Sequence, residues 1–233
     1  MVIFNEEKHS YVNKYTGDLY TSTTTLIGKY KQAFEKDKIS KAVARREGVD
    51  QKVILDRWEA ANKQSLEFGN KIHKIIETYL KSRSSYATSN LEERSIIDSF
   101  NELDIIDFSS EVLSEHQLAN HEYMIAGTAD IIQAKGAYFD VFDIKTNKKF
   151  NLYSQYDKFL KEPVDHLTEC EYNIYNLQLS IYAYLYHQQT GRKARRLAVL
   201  YYDRGTNKFI EYPMAFLKKD VMTLFEYERK KPV

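Results

Sequence analysis

Apolar residues recur along this chain in two rhythms, alternating in some stretches and spaced by three and four in others. Val2-Ile3-Phe4 and Ser10-Tyr11-Val12 flank polar residues. Asn13-Lys14-Tyr15-Thr16-Gly17-Asp18 is turn-like and Leu19-Tyr20-Thr21 resumes the strand, so residues 1–25 read as a β-hairpin. Ser22 to Thr25 can cap a short helix through Leu26 and Ile27. Asp37 to Arg46 is a helical stretch ended by Gly48, and Asp50 caps a helix carrying Val53, Ile54, Leu55 and Trp58. A further helix, from about Gln64 to Lys81, sets Phe68, Ile72, Ile75, Ile76 and Tyr79 on one face. Ser82 to Asn90 is a polar loop and Leu91 to Leu103 another amphipathic helix.

The pattern then changes. Val112 to Leu118, Tyr123 to Gln133 and Ala137 to Ile144 are strand-like, with short turns between them. Residues 146–171, with Pro163, are polar and irregular, and their length suggests a lid that gates whatever lies beneath. Glu171 to Gln189 is a long helix that Gly191 can cap. Leu197 to Tyr202 and Lys208 to Tyr212 read as a final strand pair, and Ala215 to Arg229 as a closing helix. The expected fold is α/β (α+β): a central mixed β-sheet flanked by helices, with an N-terminal β-hairpin and helical region. The 233 residues are expected to form one domain: 1–64 the hairpin and first helices, 65–212 the core, 213–233 the C-terminal helix.

Composition narrows the class. Hydrophobic residues at 43% and charged residues at 29% indicate a soluble globular protein, and no apolar run suggests a membrane span or a signal peptide. The single cysteine, Cys170, cannot form an internal disulfide and excludes a cysteine-ligated zinc or iron–sulfur cluster. Both points favour a reducing, cytoplasmic setting. The net charge of +1 gives no basic surplus for nucleic acid. Basic runs at Lys29–Lys38, Arg45-Arg46, Lys145-Lys148-Lys149 and Arg192–Arg196 can gather on one face or simply be solvated. Nineteen tyrosines can stack on bases or fill half-buried strand positions.

The candidate chemistry lies in Gly127-Thr128-Ala129-Asp130 and Asp143-Ile144-Lys145-Thr146. Alternate strand residues share a face, so Asp143 and Lys145 project together with the Ile144 carbonyl between them. Carboxylate and carbonyl oxygens suit Mg²⁺ or Mn²⁺, and an adjacent ammonium can orient water and counter charge on a phosphate. A D-x-K tripeptide alone is also a common strand-end ion pair. Asp130, on the preceding strand, makes a second carboxylate. His73 sits at the edge of an apolar helical face, where a packed core histidine is the plain alternative to a metal ligand. Glu77, one turn later, can hydrogen-bond to it. Glu115, with Glu111 as its competitor, lies on the first strand of the meander. Gln178 and Tyr182 share one face of the long helix.

The order G-x3-H-x3-E, then E, G-T-x-D, D-x-K-T and Q-x3-Y resembles the PD-(D/E)xK nuclease superfamily, and within it the RecB-like exonuclease branch. The residues are Gly69, His73 and Glu77; Glu115; Gly127, Thr128 and Asp130; Asp143, Lys145 and Thr146; Gln178 and Tyr182. The resemblance covers roughly residues 65–190. The pattern His9-x-Tyr11, Tyr20-Thr21-Ser22-Thr23-Thr24, Phe34 and Trp58 is similar to the start of phage-encoded members, which implies a phage origin in a bacterial host's cytoplasm. By resemblance, His73, Asp130, Asp143 and the Ile144 carbonyl would hold Mg²⁺ or Mn²⁺. Lys145 would position the attacking water, and Glu115 would be a further acid. Gln178, Tyr182, Thr146 and Lys148 would contact the DNA, with bracing of the site as the other role for Gln178 and Tyr182. Asp140, in the short run before Asp143, departs slightly from the pattern. No iron–sulfur cluster is expected.

The leading expectation is a DNA exonuclease acting on single strands or strand ends in replication, recombination or repair, with a replication or recombination protein as a candidate partner. The alternatives are an endonuclease of the same fold, a non-catalytic nucleic-acid-binding subunit, and, more remotely, a metal-dependent phosphatase. No G-x4-G-K-[ST] motif is present, so the chain would not unwind DNA by itself.

Overall fold

The structure, a computed structural model, describes residues 2–5, 10–82 and 86–230. His9 and the link between the first two strands lie outside the described residues, as do residues 83–85 of the polar loop. Strands β1 (Val2–Asn5), β2 (Ser10–Asn13) and β3 (Leu19–Ser22) form an antiparallel meander, one strand more than a hairpin. Helix α1 (Thr23–Tyr30) follows at once, because the Ser22 side chain accepts the Thr25 N–H at 3.1 Å. Helix α2 (Lys36–Glu47) ends at Gly48, whose φ of +68° is the left-handed cap that glycine adopts without strain.

Helix α3 (Gln51–Ser82) is a single 32-residue helix, where the sequence reading gave two. The break expected between Trp58 and Gln64 does not occur. Glu59-Ala60-Ala61-Asn62-Lys63 contains no glycine or proline, and mostly good helix formers carry the helix across. The apolar rhythm lapses there because the helix leaves the core, not because it stops. Ile72, Ile75, Ile76 and Leu80 are buried in its second half, but only Ile54 in its first. Helix α4 (Leu91–Asn101) is capped by Asn90, which accepts from the N–H groups of Glu92 and Glu93.

Strands β4 (Glu111–Asn120), β5 (Ile125–Lys135) and β6 (Tyr138–Lys145) form an antiparallel meander. Helix α5 (Glu171–Thr190) then crosses over to β7 (Lys193–Asp203), which lies parallel to β6, and β8 (Lys208–Met214) pairs antiparallel with β7. Helix α6 (Lys218–Arg229) closes the chain. β7 begins four residues before its apolar run because each early arginine has an acid. Arg192 meets Glu111, Arg195 meets Asp140 and Arg196 meets Glu211. This basic run is therefore structural, and so is Asp140.

The sheet is mixed, in the order β1-β2-β3-β5-β6-β7-β8 with β4 on β5. Alternation along its strands feeds two cores. Ile132, Val141 and Val199 face α1, α5 and α6, whereas Ile131, Phe142, Ile144, Ala198 and Leu200 face α3 and α4. Helix α5 is buried continuously from Asn176 to Tyr186, as befits a helix without a single apolar stripe. The tyrosines are largely core: Tyr11, Tyr20, Tyr30, Tyr182, Tyr184, Tyr186, Tyr201 and Tyr202 are buried, against four exposed ones, Tyr15, Tyr138, Tyr153 and Tyr156. The segment after β6 is irregular but not loose. Leu160 and Val164 are in the core, and the Lys161 N–H donates to the Tyr30 carbonyl at 2.7 Å. A whole-segment lid is therefore excluded, and the exposed part is confined to its middle, around Tyr153 and Tyr156. Among the described residues, no helix is long and apolar enough to cross a membrane.

Candidate active site

β5 is divided along one edge. β4 pairs with it along nearly its whole length, whereas its other edge takes β3 at Ile125 and Ala126 and β6 from Ile131 onward. Residues 127–130 have no strand partner on that second edge. Asp130 fills the gap, its Oδ2 accepting the Ile144 N–H at 2.6 Å. A side chain thus replaces a ladder bond and fixes the carboxylate on a rigid element.

Glu115 is opposite Asp130, between the pairs Ser114↔Ile131 and His116↔Ala129. Its φ is +50°, a left-handed conformation that costs on the order of 1–3 kcal/mol in a non-glycine residue and gathers at functional sites. His73 reaches both acids from α3. Its Nδ1 is 3.6 Å from Asp130 Oδ2 and 3.9 Å from Glu115 Oε1. One donor atom from each of His73, Glu115 and Asp130 lies within 4.8 Å of the others, a cluster able to hold a metal ion. Glu111 is excluded by its pairing with Arg192. Glu77 pairs with Lys74 and Lys81 rather than with His73.

Asp143 stands beside this cluster rather than in it. Its Oδ2 is 2.5 Å from Lys145 Nζ, and its Oδ1 accepts from Gln178 Nε2 at 3.4 Å. Gln178 also donates to the Tyr182 hydroxyl at 2.9 Å. The Lys145 ammonium lies 4.8 Å from the centre of the Tyr175 ring. Asp143 Oδ2 is fully buried and, despite the nearby ammonium, lacks a hydrogen bond of good geometry. A buried carboxylate oxygen with spare acceptor capacity, next to an imidazole and two further carboxylates, fits a hard divalent cation.

Electrostatics follow from this crowding. Burial pushes the Asp143 carboxyl up to about 6, with Asp130 adding to the rise and Lys145 opposing it. Burial alone would lower Lys145, but Asp143 and Asp130 outweigh it and hold the lysine above its usual range, so it stays an ammonium. The same contest at His73, burial against Asp130 and Glu115, leaves the imidazole at about 9. The folded protein therefore keeps a proton on His73 that the unfolded chain loses above about 6.5. His73 contributes stability that is full below pH 6.5 and lost as pH rises through 9. A metal-ligating imidazole must be neutral, so Mn²⁺ binding at pH 7.5 is expected to release about one proton. Calorimetry in two buffers of different ionisation enthalpy reads this directly. A binding enthalpy indifferent to buffer would remove His73 from the ligand set.

The remaining residues fall into place as follows. Ile144 has a buried side chain, and the residue lines the cleft. Gln178 and Tyr182 are 7% and 4% exposed, so in this structure they brace Asp143 and do not present themselves to DNA. Thr146 is also buried, packed where a Cβ on Gly69 would come within 3.0 Å of its Oγ1. The glycine lets α3 approach β6 and brings His73 to the acids. Lys148 is exposed just beyond. Two adjoining cavities open here. One, about 450 Å³, is lined by His73, Glu115, Glu77 and Gly69 among others. The second, about 240 Å³, is lined by Lys145, Asn147, Tyr175, Arg204 and Asn62 among others, and shares Ser65, Leu66, His73 and Thr146 with the first. The sequence reading missed Tyr175 and Arg204. Arg204 sits in a turn with no local signal, and the parallel pairing Lys145↔Tyr201 carries it to the site.

No family model and no curated protein matches the chain. Among solved structures, the crystal structure of SSO0001 is similar at 18% identity and a TM-score of 0.43, covering 96% of this chain and 80% of that one. A protein from Eubacterium rectale, named provisionally as an exonuclease, is similar at 11% identity and a TM-score of 0.38, covering 86% and 67%.

Proposed function

We propose that this protein is a divalent-metal-dependent deoxyribonuclease that hydrolyses phosphodiester bonds at DNA ends. The observation that carries the reading is the convergence of Asp130, Asp143, Lys145, His73 and Glu115 in one cleft where β5 and β6 part. His73, Glu115 and Asp130 would hold Mg²⁺ or Mn²⁺, with the Asp143 carboxylate and the Ile144 carbonyl as further oxygen ligands. The bound cation would supply Lewis-acid stabilisation of the phosphate and a water of lowered pKa. The chain's own residues do the rest. Lys145, kept charged by two carboxylates, donates hydrogen bonds to the attacking water and offsets negative charge on the phosphorus centre. Gln178 holds Asp143, and Tyr182 holds Gln178, so the acid cannot swing away from Lys145. Lys148, exposed beyond the cleft, would contact the DNA strand, and the buried Thr146 would hold α3 against β6. In this reading the protein acts in DNA replication, recombination or repair and in a cytoplasmic setting, and a phage-encoded origin is consistent with the N-terminal pattern.

The test uses end-labelled linear single- and double-stranded DNA and single-stranded circles, each with EDTA, Mg²⁺ or Mn²⁺. Metal-dependent loss of the linear substrates alone is expected. Cutting of circles would make the protein an endonuclease. Binding without cleavage in every metal would replace the enzyme with a binding module.

A further inference from the structure

The two cavities differ in charge. Glu115 and Glu77 line only the larger one, beside Lys74, whereas His73 lines both. No carboxylate lines the smaller, which presents Lys145, Arg204, Asn62, Asn147, Ser65 and Tyr175. Lys145 is neutralised by Asp143, but Arg204 is not neutralised by any acid among the described residues. Its Nε donates to the Thr146 carbonyl at 2.8 Å, and its guanidinium lies 4.2 Å from the centre of the Phe68 ring. Its Nη2 is buried with no hydrogen-bond partner among the described residues. A guanidinium so held is oriented before any ligand arrives, yet its charge and part of its donor fork are unspent. Buried donors of this kind are costly unless something accepts from them.

We infer that Arg204 is the anchor of a phosphate subsite, which takes a backbone phosphate of the DNA strand adjacent to the one beside Lys145. The inference rests on the nuclease reading above and deepens it. A phosphate diester is a singly charged acceptor that the planar fork of arginine matches better than lysine does. Asn62 and Ser65, one exposed and one half-buried on the same side of α3, make no side-chain hydrogen bond among the described residues and can donate to the same group. The division of labour is then spatial. The acidic cavity takes the cation, the acid-free cavity takes the strand, and Lys145 lies where they meet.

The experiment measures binding of a fluorescein-labelled single-stranded decanucleotide in EDTA, where no cleavage occurs, over a series of NaCl concentrations. Arg204→Gln is expected to weaken binding about tenfold, the effect of losing a charged hydrogen-bond donor. It should also lower the slope of log affinity against log salt by about 0.7, one single-strand phosphate contact. Arg204→Lys should restore the slope but only part of the affinity. A residue that merely braced Thr146 would change the melting temperature and leave the slope alone. Should Arg204→Gln not fold, Asn62→Asp carries the test, because it places a negative charge in the cavity from an exposed helical position. It should weaken binding roughly threefold or more at low salt through like-charge repulsion, without lowering the melting temperature. Wild-type slope and affinity in Arg204→Gln, or in Asn62→Asp, would overturn the inference while cleavage by the parent protein kept the nuclease reading intact. A parent protein that neither bound nor cut DNA would remove both.

Discussion

Lys145→Met is expected to lower cleavage by roughly a hundredfold to a thousandfold, the scale on which a preorganised donor facing developing charge acts. It is also expected to weaken Mn²⁺ binding, although residue 145 ligates nothing. The reason lies in Asp143. Its carboxyl is fully buried and already raised to about 6, and Lys145 is the largest influence holding it down. Without the ammonium, the carboxyl rises further and becomes a protonated acid over more of the neutral range. A carboxyl whose folded value exceeds the unfolded 3.8 holds protons that the unfolded chain has lost, so its folded state weakens as pH rises through that window. The variant should therefore melt close to the parent near pH 5 and fall progressively below it by pH 8. Asp143→Asn should lose cleavage to a similar extent without this pH trend. Melting curves from pH 5 to 8, calorimetric Mn²⁺ titration and end-labelled cleavage together check the chain of cause. A Lys145→Met protein that cuts at the parent rate would end the assignment of Lys145 to the chemistry.

Gly127→Ala is expected to cost both stability and activity. A Cβ at this position would stand 2.6 Å from Tyr182 Cε1 and 2.8 Å from Thr23 Oγ1. Neither neighbour can withdraw freely. Tyr182 is buried and bonded to Gln178, and Thr23 is buried with its hydroxyl on the Ala126 carbonyl. Overpacking of this kind costs about 1–3 kcal/mol. For a chain of this size that corresponds to a fall of about 3–10 °C in melting temperature. The ring that must move also steadies Gln178 and through it Asp143, so the cleavage rate should fall beyond what unfolding explains when measured well below the transition. Gly28→Ala is the control, since nothing lies within 4 Å of a Cβ there. It should be neutral or stabilising by up to about 1 kcal/mol, as glycine-to-alanine changes in helices are. Equal effects at the two positions would mean that the close approach of α5 to β5 is not what Gly127 provides.

Much of this protein is legible in its linear order. Apolar spacing locates the helices and strands because local geometry alone decides which side chains share a face. The same local rule puts Asp143 and Lys145 together, and they are found together at 2.5 Å. It fails where burial is uneven, as in α3, whose exposed first half loses the apolar rhythm without losing the helix. It also says nothing about partners far apart in the chain. Glu115 rather than Glu111 joins His73 and Asp130 because cross-strand register, summed over β4 and β5, sets the first opposite Asp130 and the second beside Arg192.

The residues next to Asp143 were decided in the same way. Gln178 and Tyr182 face inward because α5 is packed on every side, so helical spacing could show that they share a face but not that the face is closed. Arg204 reaches the cleft only through the parallel pairing of β6 with β7, a contact that needs the whole crossover through α5 to form. The sequence by itself located most of the helices and strands and paired the acid with the lysine, because those depend on neighbours within a few residues. Only the tertiary structure decided which acids meet the histidine, which polar residues are buried and where an unpaired cation stands, because those depend on strand register and helix packing between distant segments.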